Sequence, residues 1–149
     1  MRLVIQRVSR AAVSSVAGRR EIGAGVLVLV GVAPRDEPGT AQRAAAKIAQ
    51  LRIFEDSLGR TNLSLEETRG AALVVSQFTL LADVSRGRRP GFGGAAGPAH
   101  AEAIYEQLLA ALRGLGVPVE VGWFGAAMDV ELVNHGPFTL AIDTETLPL

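Results

Sequence analysis

Hydrophobic and polar residues alternate along the first part of the chain with the period of a β-strand. Over residues 2–14, Leu3 and Ile5 fall on one face and Gln6 falls on the other. This pattern is typical of a strand with one buried face, and Gly18 marks the turn that follows it.

Two later runs are apolar almost throughout. Residues 26–30 read VLVLV, which predicts a short strand buried on both faces, and residues 34–39 contain the prolines and glycine that break it. Residues 72–81, ALVVSQFTLL, predict a second strongly apolar strand.

The hydrophobic period changes to that of a helix in two places. Thr40 is the predicted N-cap of the first helix, and Gly114 and Gly116 end the second one. The apolar positions with helical spacing are Ala41, Ala44, Ala45, Ile48 and Leu51 in the first helix, and Ala101, Ile104, Tyr105, Leu108 and Leu112 in the second.

The remaining segments complete the expected topology. Residues 54–62 read as a turn and residues 82–98 as a loop rich in glycine and arginine. PVEVGWF, MDVELV and FTLAID predict three strands joined by tight turns, so NHGPFT at 134–139 becomes a hairpin turn. The order of elements favours an α+β or α/β domain with a mostly antiparallel or mixed sheet.

Composition narrows the classes of function. The chain has 149 residues and equal numbers of basic and acidic side chains, 15 of each, which argues against non-specific coating of nucleic acid but not against a local basic site. It has no cysteine, which excludes disulfides and thiolate chemistry. Charges at Arg2 and Arg7 interrupt the opening apolar segment, so we expect no signal peptide and a soluble cytoplasmic protein.

The titratable residues do not suggest a familiar catalytic centre. The two histidines, His100 and His135, are both expected at the surface, which disfavours a Ser-His-Asp triad. The paired carboxylates at 36–37, 55–56 and 66–67 fall in predicted turns or helix ends, where solvated charge is the default. No metal-binding motif is present, and we predict neither a metal nor a cofactor.

Two segments contain polar or charged residues that could bind a ligand. Ser76, Gln77 and Thr79 interrupt an apolar strand, which indicates either alternation on a half-exposed strand or a strand end that presents polar groups to a ligand. Three guanidinium groups follow in the loop RGRRP at 86–90, which suits phosphate contacts, although an exposed polar loop explains it equally well.

Taken together, these segments resemble one family. SQFTL at 76–80, RGRRPGF at 86–92 and VNHGPFT at 133–139 are similar to motifs of the D-aminoacyl-tRNA deacylases, also named D-tyrosyl-tRNA deacylases. IQRVSRAAV at 5–13 and IGAGVLVLVGV at 22–32 resemble that family's first strands. The resemblance runs in order along nearly the whole chain. It implies a single α+β domain over residues 1–149, with a barrel-like sheet and two main helices.

The resemblance also implies how the site works. The Gly136-Pro137 peptide is expected to be cis and to reach into the active site of a partner chain, which makes the protein a homodimer. There its carbonyls hold the substrate's α-amino group and exclude an L side chain, and Arg7 braces the turn. The reaction implied is hydrolysis of the ester of D-aminoacyl-tRNA, with mischarged glycyl-tRNA as a further possible substrate.

The same resemblance assigns the remaining site residues. Ser76, Gln77, Phe78 and Thr79 are expected to line the catalytic pocket, with backbone N–H groups near Phe78 stabilising the oxyanion. The residues expected to contact tRNA are Arg86, Arg88, Arg89 and Met128. Thr79 has no obvious base beside it, so either the threonine or the substrate's own 2′-hydroxyl assists the reaction.

The chain departs from the family pattern at two positions beside the predicted chirality gate and at one where the family accommodates the terminal adenosine. His135 stands where the family usually has Asp, Phe138 where it has a small aliphatic residue, and Ala127 where it has Asp. Two other functions remain open at this stage. One is a non-catalytic nucleic-acid-binding module with the same fold, and the other is a small-molecule esterase that uses Thr79.

Overall fold

The computed structural model describes residues 1–146, except for the side chain of Pro137. Within that range the chain forms an α+β domain with eight strands, two long helices and one short one. The strands are β1 (Arg2–Ser15), β2 (Gly18–Ile22), β3 (Gly25–Gly31), β4 (Phe54–Glu55), β5 (Thr61–Leu63), β6 (Ala71–Ser76), β7 (Val119–Val121) and β8 (Asp129–Asp143). The helices are α1 (Pro38–Gln50), α2 (Leu65–Thr68) and α3 (Pro98–Gly114).

Strand β1 organises the main sheet. It pairs antiparallel with β2 and β3 along one edge and antiparallel with β8 along the other. β3 pairs parallel with β6, and β6 pairs parallel with β7. The sheet is therefore mixed and nearly closed. The predicted fold class is therefore confirmed. The expected turn at 54–62 is flanked by two short strands, β4 and β5, which pair with each other in a separate two-stranded sheet.

Strands β3 and β6 are buried on both faces, as their unbroken apolar sequences predict. In β3, Val28 packs with the cluster under α1 and α3, whereas its neighbour Leu27 packs with the cluster on the opposite face. Val74 and Leu73 divide in the same way in β6. This double cover fixes the carboxyl ends of two parallel strands in a rigid frame.

The first long helix begins earlier than predicted. Glu37 is the N-cap of α1, Pro38 occupies the first turn, and Thr40 is the third helical residue. The Thr40 hydroxyl accepts a hydrogen bond from the Glu37 backbone N–H in a capping box. Thr40 therefore supports the helix start from inside the first turn, because Pro38 is favoured at the first helical position.

The second apolar strand is shorter than predicted. β6 ends at Ser76, and residues Phe78–Leu81 form a 3₁₀ helix. The Gln77 N–H still bonds to the Val30 carbonyl at 2.7 Å, but β3 ends one residue later, at Gly31, so the ladder offers no further partner. A Cβ at Gly31 would lie 3.0 Å from the Gln77 carbonyl oxygen, so glycine permits this close turn.

The predicted hairpin at NHGPFT is wrong. Residues 129–143 form one long strand, β8, that follows β1 across the sheet. Gln6 pairs with Thr139 and Val8 pairs with Asn134, so two steps along β1 correspond to five steps along β8. The surplus residues form a wide β-bulge, which we call the gate bulge (residues 135–138). Glycine and proline, which suggested a turn here, are also compatible with a bulge, in which the chain does not reverse.

Asp36 is not the solvated carboxylate that its turn position suggested. It is 5% exposed and accepts hydrogen bonds from the Met1 ammonium group and from the Ala33 N–H, both at 2.7 Å. The exposed side chain of His100 bonds to the Asp36 carbonyl at 2.9 Å. The carboxylate therefore joins the start of β1 to the segment that follows β3.

Candidate active site

A pocket of about 590 Å³ opens beyond the carboxyl ends of β3 and β6. This is where ligands bind in sheets with parallel strands, because backbone groups and loops converge there. Its floor is formed by Val30 and Val75, and Tyr105 closes it from α3. The other lining residues are Val32, Ser76, Gln77, Phe78, Phe92, Ala95, Ala96, Pro98, Ala101, Phe124, Gly125, Ala126, Met128 and Val130.

Tyr105 is a rigid wall of this pocket. Its hydroxyl donates a 2.8 Å hydrogen bond to the Val74 carbonyl, and the side chain is 2% exposed. Burial raises the pKa of the Tyr105 phenol far above its ordinary value. The phenol therefore stays protonated and acts as a structural donor.

The polar motif at the end of β6 lies at the mouth of the pocket. Ser76, Gln77 and Phe78 line the pocket, whereas Thr79 is exposed and is not among the lining residues. Phe78 and Thr79 begin the 3₁₀ helix, and the first N–H groups of a helix have no acceptor within it. The backbone N–H groups of Phe78 and Thr79 therefore have no acceptor within this helix, which starts at a residue that lines the pocket.

Thr79 has a neutral environment. Its hydroxyl accepts a hydrogen bond from the Gln77 side-chain amide. In the part of the chain that the structure describes, neither imidazole nor any carboxylate hydrogen-bonds to this hydroxyl. The geometry gives Thr79 no general base and makes it a partner that orients Gln77.

The arginine loop is attached to the pocket mouth. Asp83 and Gly91 form a reciprocal backbone bridge, at 2.7 and 2.8 Å, that closes the base of the loop. Hydrogen bonds from the Ser85 side chain and backbone hold the pKa of Asp83 below its usual range. Directly after the bridge, Phe92 packs edge-to-face on Phe78 with ring centroids 5.0 Å apart. The exposed guanidinium groups of the loop belong to Arg86, Arg88 and Arg89.

The turn between β7 and β8 supplies another wall. Met128 lines the pocket, and its sulfur accepts the Trp123 N–H at 3.2 Å. A Cβ at Gly122 would lie 2.7 Å from that sulfur, so glycine makes room for the methionine. Ala127, the departure noted above, is exposed and is not among the lining residues.

Arg7 holds the gate bulge from below. It is 3% exposed, although its side chain carries a charge. Its Nε donates to the His135 carbonyl at 2.8 Å, and its Nη1 donates to the Ile53 carbonyl at 2.6 Å. The guanidinium group also lies 4.7 Å from the ring centroid of Phe138. Arg7 thus contacts two carbonyls and an aromatic face, and its Nη2 lies 3.9 Å from Glu55 Oε1.

The pocket and the gate bulge are separate within one chain. None of the described residues of the bulge, nor Asn134 or Thr139 beside it, lines the pocket. The structure therefore brings Ser76, Gln77, Phe78 and Met128 together and places Arg7 with Gly136 elsewhere. The Pro137 side chain lies outside the described residues.

Sequence reasoning missed two groups of residues at these places. The pocket walls include Phe92, Phe124 and Tyr105. Their sequence positions, in loops or on an apolar helix face, predict only ordinary hydrophobic packing. Asn134 contacts Arg7 on β1 and Phe138 at the far end of the gate bulge. Its signal was available, since a polar side chain beside a Gly-Pro pair in a strand suggests a backbone partner.

Among residues 1–146, no three His, Cys, Asp or Glu side chains are grouped so that they could hold a metal ion. None of the helices in the described range is long and apolar enough to cross a membrane.

Fold and pocket together define a single-domain α+β protein with a pocket at the carboxyl ends of parallel strands. The profile of the family described as D-Tyr-tRNA(Tyr) deacylase matches residues 4–143. This match spans most of the chain, and the chain belongs to that family.

Curated relatives agree along nearly their full lengths. A D-aminoacyl-tRNA deacylase of Deinococcus radiodurans is 53% identical over 146 residues, covering 96% of this chain and 99% of the relative. A D-aminoacyl-tRNA deacylase of Thermomicrobium roseum is 54% identical over 149 residues, covering 99% of this chain and 96% of the relative.

Two solved structures share the fold. One, titled c-Myc DNA Unwinding Element Binding Protein, superposes with a TM-score of 0.89 at 35% identity and covers 96% of this chain and 98% of its own. The other, titled as a probable eukaryotic D-amino acid tRNA deacylase, has a TM-score of 0.83 at 21% identity and covers 95% and 97%.

Proposed function

We propose that this protein hydrolyses the ester bond of D-aminoacyl-tRNA and releases the D-amino acid and the tRNA. The observation that carries the proposal is the pocket at the ends of β3 and β6, with Ser76, Gln77 and Phe78 at its mouth, in a member of the deacylase family. The apolar walls suit the terminal nucleoside and a side chain, while the polar strand end suits the ester.

The chemistry requires little from the protein. Water adds to the ester carbonyl carbon, the carbonyl oxygen becomes an oxyanion, and the bond to the ribose oxygen then breaks as that oxygen takes up a proton. Backbone N–H groups at Phe78 and Thr79, with the Gln77 amide, are the donors we assign to the oxyanion. Because Thr79 has no base partner, we assign proton transfer to the substrate's 2′-hydroxyl and give Thr79 an orienting role.

Chirality is read by the gate bulge of a second copy of the chain. None of the described bulge residues lines the pocket of its own chain, which supports a gate supplied by a second copy. We assign the α-amino group to the carbonyls of Gly136 and Pro137, with Arg7 as their support. Backbone carbonyls on a braced bulge have fixed positions, and a rigid surface rejects the L side chain by steric clash.

The tRNA contacts are assigned to the arginine loop and to Met128. Arg86, Arg88 and Arg89 are exposed next to the pocket mouth, where the phosphates of a bound 3′ end would pass. We place the activity in the cytoplasm, where charged tRNA is used in translation.

One assay tests the proposed activity directly. Purified protein is incubated with D-Tyr-tRNA, L-Tyr-tRNA and Gly-tRNA, and the release of labelled amino acid is followed. We expect rapid deacylation of D-Tyr-tRNA and protection of L-Tyr-tRNA, and the Gly-tRNA reaction shows whether the gate also admits a substrate without a side chain. Ala126→Trp, which fills the pocket, is the inactive control. No release of amino acid from D-Tyr-tRNA would refute the proposed activity, and equal rates on the D and L substrates would refute the chirality gate.

Mixed dimers test whether the gate acts in trans. One chain carries Ala126→Trp, which blocks its pocket, and the other carries Gly136→Ala, which damages its bulge. In a statistical mixture, half of the dimers are mixed and each has one complete site, so about a quarter of the wild-type sites return. If mixing the two inactive variants restores no deacylase activity, the gate and the pocket of the same chain work together.

A nucleic-acid-binding module is the second candidate, since the solved structure at 35% identity is titled as a DNA-element binding protein. This alternative predicts binding to uncharged nucleic acid and no release of amino acid. The deacylase proposal predicts turnover that Ala126→Trp abolishes while binding of uncharged tRNA persists. A small-molecule esterase would instead hydrolyse free D-tyrosine esters as readily as charged tRNA.

A further inference from the structure

Asn134 lies at the start of the gate bulge and joins the far end of the bulge to β1. Its Nδ2 donates a 2.9 Å hydrogen bond to the Arg7 carbonyl on β1. The same nitrogen donates a 3.1 Å hydrogen bond to the Phe138 carbonyl, where the bulge rejoins the ladder. One side-chain amide therefore spans the gap that the bulge opens between the two strands.

The orientation of this amide is set by its neighbours. The Thr139 hydroxyl donates to Asn134 Oδ1 at 3.5 Å and accepts from Gln6 Nε2 at 3.2 Å. Two carbonyls therefore face the nitrogen of the amide, and a hydroxyl donor faces its oxygen. These contacts give the amide a single orientation, which an aspartate at the same position could not reproduce.

Arg7 and Asn134 hold different parts of the bulge. The Arg7 side chain holds the His135 carbonyl, whereas Asn134 holds the Phe138 carbonyl and the backbone of Arg7 itself. A Cβ at Gly136 would lie 3.5 Å from Asn134 Oδ1, so the amide also lies against the backbone of the gate. The two side chains together fix the residues on either side of Gly136 and Pro137.

From this geometry we infer that Asn134 is a positioning residue for the chirality gate. It closes the bulge so that the Gly136 and Pro137 carbonyls keep the spacing that separates a D from an L substrate. The inference rests on the proposed function, because it assigns Asn134 to the same gate. Discrimination by fixed carbonyls demands precise placement, and an error of about 1 Å costs on the order of a hundredfold.

The test compares Asn134→Asp and Asn134→Ala with the wild type. Asn134→Asp keeps the shape of the side chain but replaces both N–H donors with an acceptor facing two carbonyls. We expect the ratio of kcat/KM for D-Tyr-tRNA over L-Tyr-tRNA to fall by about tenfold to a hundredfold in both variants. Thr139→Val, which removes only the hydroxyl that orients the amide, should give a smaller fall in the same direction.

The control is Ile48→Val, which weakens the fully buried core under α1 and leaves the bulge intact. Its D-over-L ratio should remain within about twofold of the wild type, because lost stability lowers both rates together. A fall in the ratio as large as that of Asn134→Asp would show that the ratio follows stability and would overturn the inference. So would an unchanged ratio in both Asn134 variants.

A second measurement needs no substrate. Amide hydrogen exchange at His135, Gly136 and Phe138 should become faster in Asn134→Asp and stay unchanged in Ile48→Val. Unchanged exchange overturns the inference while the deacylase proposal stands. If wild-type protein fails to deacylate D-Tyr-tRNA, the proposed function itself fails, and the inference fails with it.

Discussion

Arg7 lies beneath Phe138 with its guanidinium carbon 4.7 Å from the ring centroid, while its Nε holds the carbonyl of His135. Both departures from the family pattern at the gate thus contact the same buried cation. The aromatic face adds a cation–π attraction of about 1–2 kcal/mol when the cation is desolvated. The larger residue at 138 therefore adds to the brace instead of displacing it.

The first prediction concerns this brace. Arg7→Lys keeps the charge but loses the planar fork that reaches Ile53 and His135 at once. We expect the free energy of unfolding to fall by about 2 kcal/mol, as for the loss of a hydrogen bond to a charged group. The D-over-L ratio should fall as well. Urea denaturation and deacylation assays measure both, and the exposed Arg43→Lys is the control. Unchanged discrimination in a folded Arg7→Lys protein would contradict the role of the brace.

The second prediction concerns the glycine of the gate. A Cβ at Gly136 would lie 2.9 Å from the Phe138 backbone nitrogen, so Gly136→Ala must move the bulge. We expect Gly136→Ala to lose both deacylation of D-Tyr-tRNA and D-over-L discrimination, with a loss larger than its loss of stability explains. Gly97→Ala is a suitable control, because nothing lies within 4 Å of a Cβ there. If both variants discriminate as well as the wild type, the gate lies elsewhere in the chain.

The third prediction concerns Thr79. Its side-chain partner is the Gln77 amide, and no base among residues 1–146 hydrogen-bonds to it, so Thr79→Ala should retain deacylase activity. Removing a true nucleophile costs about a millionfold in kcat in triad enzymes, whereas loss of an orienting hydroxyl should cost under a hundredfold. Single-turnover kinetics on D-Tyr-tRNA distinguish the two cases. A loss on the larger scale, with the fold intact, would make Thr79 the nucleophile.

The fourth prediction concerns the arginine loop. Changing Arg86, Arg88 and Arg89 to Gln should weaken tRNA binding and flatten its dependence on salt. Each lost phosphate contact lowers the slope of log K against log salt by about 0.7–0.9, so three contacts give a change of about 2–3. A control variant with Gln at the exposed Arg43, Arg60 and Arg113 removes the same charge elsewhere. Its slope should stay close to that of the wild type and steeper than that of the loop variant. Equal slopes in the two variants would place the tRNA on another surface.

The fifth prediction concerns pH. Arg19 Nη1 lies 2.7 Å from Glu131 Oε1 and links β2 to β8, and this hydrogen bond lowers the pKa of Glu131. A carboxylate with a lowered pKa stabilises the fold above its ordinary pKa, and that contribution disappears as the pH falls through the folded-state value. Arg19→Gln should therefore reduce stability at neutral pH and match the wild type once the pH lies below the folded-state pKa of Glu131. A stability difference that does not change with pH would mean that the pair is not coupled to folding.

Much of the fold was determined by the sequence alone. The alternation in β1, the unbroken apolar run of β3 and the helical spacing in α1 and α3 each specify local structure by burial on one or two faces. The motif around Gln77 could also be recognised, because polar residues that interrupt an apolar strand require a reason. Arg7 was identified through resemblance, since a charged residue in a strand shows no function by itself.

The tertiary structure decided what depends on a distant partner. β6 ends at Ser76 because β3, its hydrogen-bonding partner, also ends there. NHGPFT becomes a bulge because β8 pairs with β1 on both sides of it. The pairing of Gln6 with Thr139 joins residues at opposite ends of the chain, so no local period could predict it. Asp36 is buried for the same reason, because its partner, the Met1 ammonium group, is brought to it only by the completed sheet.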